Sequence, residues 1–237
     1  RARGLKLDMT RGKPAPDQLS LSDAMAALPG NGDYFSENGE DARNYGNLQG
    51  LAEMRAFFAP ILGAPAARVA IGENSSLSLM HDCIARACRV GVPGGAQPWG
   101  ADPECAFLCL TPGYDRHFAI TAEYGFRLIP VPLTGEGPDM AQVEAAVADP
   151  AVKGMWCVPR YSNPSGETYS DAVVRGLAAM RTGAPDFRLF WDDAYAVHRL
   201  TDARAPLANV LDLCAEHGSP DRAIVFASTS KVTLAGA

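Results

Sequence analysis

The stretch FRLFWDDAY, residues 187–195, sets a short, mostly apolar run against two consecutive carboxylates, Asp192 and Asp193, and then an aromatic hydroxyl, Tyr195. A run of that length and composition fits a strand covered by helices on both faces. A carboxylate at the end of such a strand is costly to bury unless something cationic meets it. Two in a row face opposite ways along an extended chain, so they need separate explanations.

The same pattern continues on either side. Upstream lie the apolar runs CAFLCL (105–110), FRLIPVPL (126–133) and KGMWCVP (153–159), and downstream RAIVFAS (222–228). Between them fall helical stretches from about 115, at 139–148, at 170–181 and near 206–217. Strand alternating with helix predicts an α/β chain, a three-layer αβα sandwich around a mostly parallel sheet. Ahead of that core the spacing predicts a helix over 48–62 capped by Gly63, a short strand at 69–71 and a helix over 75–90.

Residues 1–43 are punctuated by Gly, Pro, Asn and Asp, with helical spacing only over 19–28, and read as an arm or small-domain segment. Residues 44–237 read as one large domain. GVPGGAQPWGADPE (91–104) reads as an exposed connection. The chain has no initiator Met and stops six residues after Lys231, so the expectation is a piece of a longer protein, truncated at both ends.

A hydrophobic content of 47% over 237 residues fills a sizeable core. A net charge of −6, with no dense Lys/Arg cluster, argues against a nucleic-acid partner. No apolar run approaches the roughly 20 residues of a membrane-spanning helix, and the first residues lack the apolar centre of a signal peptide. The expectation is a cytoplasmic protein. Six cysteines without a CxxC pair read as buried thiols, and four scattered histidines give no metal-ligand spacing.

Open α/β sheets bind ligands beyond the carboxyl ends of their strands, and short polar stretches recur there. Asn74, Ser75 and Ser76 begin a helix whose free amides suit a phosphate. Tyr114 follows the strand at 105–110. Ser162 to Gly166, SNPSG, form a turn bearing Asn163. Asp192 and Tyr195 follow the strand at 187–191, and Ser228, Ser230 and Lys231 end the strand at 222–228. Arg160, three residues before Asn163, reads as a surface arginine, with contact to a second substrate carboxylate as the other option.

These motifs in this order, together with LDMTRGKP at 7–14 and RNYGNLQGL at 43–51, resemble the large domain of fold-type-I, pyridoxal-phosphate-dependent aminotransferases, and within them a bacterial group similar to aspartate aminotransferases. The resemblance spans essentially the whole chain. It implies that Lys231 forms a Schiff base with the cofactor aldehyde and shuttles the α-proton, while Asp192 pairs with the pyridinium nitrogen. It implies that Asn163 and Tyr195 bond the cofactor's phenolic oxygen and that Tyr114 stacks on its ring. Asn74, Ser75, Ser76, Ser228 and Ser230 would hold the phosphate, and Gly12 and Asn163 would lie at the substrate. Tyr45 would reach the neighbouring site of a homodimer. Asp193 is left a structural or solvated role.

The implied activity is transfer of an amino group from an amino acid, read as L-aspartate, to a 2-oxo acid, read as 2-oxoglutarate. The arginine that clamps the substrate α-carboxylate would lie beyond the chain's end, so this piece alone is expected to transaminate poorly. A β-lyase on the same scaffold, an effector-sensing domain of a transcription regulator and a non-catalytic doubly wound domain are the alternatives.

Overall fold

In the computed structural model, which describes residues 13–28, 30, 32–72, 75–200, 207–232 and 234, the chain divides into two compact units. The smaller joins Arg1–Tyr45 to Thr229–Ala237. Its described part opens on α1 (Pro16–Ser20), where proline's fixed φ suits the first helical position. The helix expected over 19–28 is not continuous, because Asp23–Ala27 forms a separate 3-10 turn and neither piece buries a residue. Elements this short gain little stability without packing.

The larger unit, Gly46–Ser228, holds the sheet. Its first helix, α2 (Ala52–Leu62), starts four residues later than periodicity predicts, because Gly50 at φ +84° takes a left-handed conformation before it. Gly63, also left-handed at φ +63°, ends it as expected. The strand expected at 69–71 does not form. Ala66–Arg68 is a 3-10 turn, and the Ile71 amide donates to the Gln49 carbonyl outside any sheet.

Helix α3 (Ser76–Arg89) follows, then β1 (Ala106–Thr111), α4 (Asp115–Glu123), β2 (Arg127–Pro132), α5 (Met140–Val147) and β3 (Val152–Cys157). The order closes with α6 (Asp171–Ala179), β4 (Arg188–Asp192), α7 (Val210–Glu216) and β5 (Ala223–Phe226). The five strands lie in the order β2-β1-β3-β4-β5, and every described pairing between them is parallel.

Side-chain alternation splits the core in two. Leu108, Met155, Leu189 and Trp191 pack with α5, α6 and α7 on one face, while Phe107, Trp156 and Phe190 pack with α3 on the other. Each fully buried aromatic ring or aliphatic side chain contributes about 1.5–3 kcal/mol by leaving water. Both faces being covered is why these strands read as continuous apolar runs.

The segment 91–104 is largely the exposed connection expected, but it has one buried anchor. Trp99 is buried and donates its Nε1–H to Asp186 Oδ2 at 2.8 Å, and Arg188 donates to the Pro93 carbonyl. The loop thereby closes the amino end of β4. The cysteines do behave as buried thiols: four are buried and two half-buried, all unpaired, and burial pushes Cys109 up to about 12.

Gly154, in the middle of the sheet, has no room for a side chain. A Cβ there would meet the Phe107 ring at 2.4 Å and the Arg188 carbonyl at 2.8 Å. Gly154→Ala is therefore expected to cost about 1–3 kcal/mol through overpacking, measured as a lower urea midpoint with an unchanged slope.

Candidate active site

Because the strands are parallel, β1, β3, β4 and β5 end on one edge of the sheet, at Thr111, Cys157, Asp192 and Phe226. The turns beyond them carry Tyr114, Asn163, Tyr195 and Ser228. Asp192 is itself the last residue of β4 and only 6% exposed. Alternation points it to the face of Phe190 and Trp156.

His117, in the first turn of α4, meets it from that face. Its Nε2 lies 3.0 Å from Asp192 Oδ2. The imidazole stacks on the Trp156 indole at 4.6 Å, nearly parallel at 13°, and the Tyr114 ring stands edge-on to it at 5.0 Å. The histidine is thus held by two rings and one carboxylate. Asp192 Oδ1 is buried with no hydrogen-bond partner. An orphaned buried acceptor costs about 1–3 kcal/mol, and this one would suit a donor that none of the described residues supplies.

Asp193 is buried as well, at 7% exposed, and pairs with Arg160. The solvated option for Asp193 is thereby removed, and Arg160 is not a surface arginine. Burial pushes the Asp193 carboxyl up, Arg160 opposes that shift, and the neighbouring Asp192 adds to it.

Burial also raises the Tyr195 hydroxyl, with further upward contributions from Asp192 and Tyr114, so these three groups lie within electrostatic reach of one another. Tyr161 stands edge-on to Tyr195 at 6.3 Å. Asn163 is exposed at the tip of a turn closed by Ser162 N–H donating to Glu167 O at 2.8 Å and Tyr169 N–H donating to Pro159 O at 2.9 Å.

Ser75 is the N-cap of α3, yet its side chain makes no capping hydrogen bond, which leaves the positive end of that 14-residue helix open to an anion. The Tyr124 hydroxyl and His81 Nε2, 3.0 Å apart, tie α3 to α4. Ser76 and Ser228 are half-buried.

The larger unit thus gathers Asp192, Tyr114 and Tyr195, and it sets Asn163, Ser75, Ser76 and Ser228 on the neighbouring turns. Tyr45, Ser230 and Lys231 belong to the smaller unit, where Lys231 sits in a turn closed by Val232 N–H donating to Thr229 O at 2.9 Å. Gly12 and Asn74 lie outside the described residues. Among the described residues no cluster of His, Cys, Asp or Glu could hold a metal ion.

Two partners escaped the sequence reading. His117 carries no spacing signal, since it meets Asp192 across 75 positions and from the helix after β1, a strand that is not β4's neighbour. Arg160 carried one: it stands three residues before Asn163, in the turn that follows the strand paired with β4.

Residues 1–237 match the protein family described as aspartate amino-transferase. A Mycolicibacterium smegmatis protein whose curated name gives an unproven aminotransferase assignment is 53% identical over 100% of this chain and 56% of its own length. The crystal structure of an aspartate transaminase from Corynebacterium glutamicum, 47% identical, superposes with a TM-score of 0.94 over 100% of this chain and 56% of that one. A Thermus thermophilus α-aminoadipate aminotransferase, solved with N-(5'-phosphopyridoxyl)-L-leucine, has a TM-score of 0.67 at 24% identity, covers 95% of this chain and 53% of that one, and shows the shared fold. The chain spans about half the length of the curated relatives it matches.

His117→Ala strips Asp192 of its one described partner and is expected to destabilise the protein without cofactor by about 1–3 kcal/mol in urea unfolding. A double-mutant cycle with Asp192→Ala should return a coupling energy of about 0.5–3 kcal/mol.

Proposed function

The chain belongs to the aspartate aminotransferase family, and from that premise we propose that it is the cofactor-binding portion of an enzyme that moves an amino group from an amino acid, L-aspartate, to a 2-oxo acid, 2-oxoglutarate, with pyridoxal 5'-phosphate as cofactor. The observation that carries the reading is Asp192: one buried carboxylate oxygen engaged by His117, the other buried with no hydrogen-bond partner among the described residues. A protonated ring nitrogen is a donor suited to that oxygen. The uncapped start of α3, beside Ser75 and Ser76, suits the phosphate. The residues present therefore fit this group at both ends.

When bound, pyridoxal phosphate supplies an aldehyde that captures amines and a ring that accepts the electron pair freed at the substrate α-carbon. The chain's own residues do the rest. Asp192, held in place by His117, would face the ring nitrogen and favour a proton there. Tyr195 and Asn163 would donate to the phenolic oxygen and favour its anion, and Tyr114 would cover the ring. Asn74, Ser228 and Ser230 would add donors for the phosphate, and Lys231 would supply the amine and move the proton at the α-carbon. Gly12 and Asn163 would bind at the substrate.

The reading includes a homodimer, with Tyr45 reaching the phosphate of the neighbouring subunit. It also includes residence in the cytoplasm, which is supported by six free thiols. Among the described residues, no helix is long and apolar enough to cross a membrane.

The test uses the full-length protein. Borohydride should fix pyridoxal phosphate covalently to the wild type and not to Lys231→Ala, as read by mass spectrometry. Aspartate should convert the bound cofactor to its amine form, and 2-oxoglutarate should reverse the change. Asp192→Ala should lower kcat by at least about a hundredfold, the scale of losing one preorganised electrostatic group. Covalent fixation in Lys231→Ala removes that lysine from the reading. Conversion by another amino acid but not by aspartate keeps the reaction class and replaces the substrate.

A further inference from the structure

The sequence between β3 and α6 makes a turn that is tied to itself and to β4. Its base is closed by Tyr169 N–H donating to Pro159 O, and its middle by Ser162 N–H donating to Glu167 O. Tyr161 N–H donates to Thr168 Oγ1 at 3.2 Å. Between these closures Tyr161 adopts φ +47°, a left-handed conformation that costs a non-glycine residue free energy and persists only where the surroundings enforce it. Asn163 stands exposed at the tip, two residues further on.

Only one described ion pair joins this turn to the end of β4. The Arg160 guanidinium, 18% exposed in its side chain, donates to Asp193 Oδ2, and that carboxylate is 8% exposed. One residue beyond Arg160, the Tyr161 ring meets the Tyr195 ring edge-on. Arg160 is three positions before Asn163, and Asp193 is two before Tyr195. On the functional reading above, on which this inference rests, Asn163 and Tyr195 must converge on one oxygen atom. The ion pair ties the roots of those two arms together.

The geometry points to Arg160 and Asp193 as a positioning pair: they fix the spacing between Asn163 and Tyr195, so that both donors reach the same acceptor, and neither touches the reacting atoms. Asp193 suits the task because its backbone is anchored too, its N–H donating to the Phe226 carbonyl of β5 at 2.8 Å. Arg160 suits it because a planar guanidinium holds direction as well as charge, which an ammonium does not. The pair thus holds the turn against a strand that is itself hydrogen-bonded on both sides.

The experiment takes the full-length protein loaded with pyridoxal phosphate and follows the cofactor's visible absorbance against pH in wild type, Asp193→Asn, Arg160→Met and Arg160→Lys. Donors to an anionic oxygen stabilise the anion, so misplacing them raises the absorbance midpoint. Asp193→Asn and Arg160→Met are expected to raise it by about half a pH unit or more, a fraction of one charge-assisted hydrogen bond. Arg160→Lys, which keeps the charge and folds most readily, should raise it less.

Lys153→Met serves as the control for plain loss of stability. It breaks the part-buried Lys153 and Asp186 pair, 3.5 Å apart at the opposite end of the sheet, and should lower the thermal midpoint while leaving the absorbance midpoint in place. Variants that bind cofactor with the wild-type absorbance midpoint overturn the positioning role and leave the functional reading standing. An equal shift in Lys153→Met overturns it as well, since the effect would then be general destabilisation. A wild type that takes up no pyridoxal phosphate overturns the functional reading and this inference with it.

Discussion

Two adjacent carboxylates at the end of a buried strand are the constraint around which the rest is arranged. A buried carboxylate is costly without a partner, and strand alternation sends Asp192 and Asp193 to opposite faces, so one partner cannot serve both. Each therefore has its own partner, His117 from α4 on one face and Arg160 from the turn after β3 on the other. Satisfying the acids draws two separate chain segments against β4. The carboxylates thus act as organisers of the edge as well as charges within it.

The amino end of the same strand is polar too. Asp186 accepts from the Trp99 indole and pairs with Lys153, while Arg188 donates to the carbonyls of Phe187 and Pro93. Between these ends Leu189, Phe190 and Trp191 are fully apolar and buried. A strand that is apolar in the middle and charged at both ends has its position along the sheet defined. Sliding it by one residue would bury Arg188 or Asp192 without partners and turn every side chain to the other face. The fixed edge on which Tyr114, Asn163 and Tyr195 stand follows from that register.

The βα alternation was legible because strands covered on both faces leave apolar runs that no amphipathic helix imitates, and FRLFW, CAFLCL and AIVF all became strands. What misled was short and local. The three residues at 69–71 resemble a strand, but Val69 N–H donates to Ala66 O and Ile71 N–H to Gln49 O, not to a sheet. The stretch 19–28 has helical spacing but nothing described to pack on. The loop 91–104 has a loop's composition, yet Trp99 finds Asp186 at 87 positions' distance. The same limit hid His117. Its partner is two strands away in the sheet, and no spacing along the chain encodes that.

Asn163 illustrates why the buried arrangement matters for the exposed one. The residue stands at a solvent-facing tip, where a free side chain would sample many rotamers and lose entropy on meeting a ligand. Its turn is instead closed by backbone bonds at two levels, held in a left-handed step at Tyr161 and joined by an ion pair to a strand bonded on both sides. The ordering cost of the turn's backbone is met during folding, which leaves only the Asn163 side chain to be fixed by a ligand. A loop residue placed by a rigid base keeps the accessibility of a loop with much of the precision of a strand. On the proposed function, that combination lets Asn163 and Tyr195, carried on different segments, reach one acceptor.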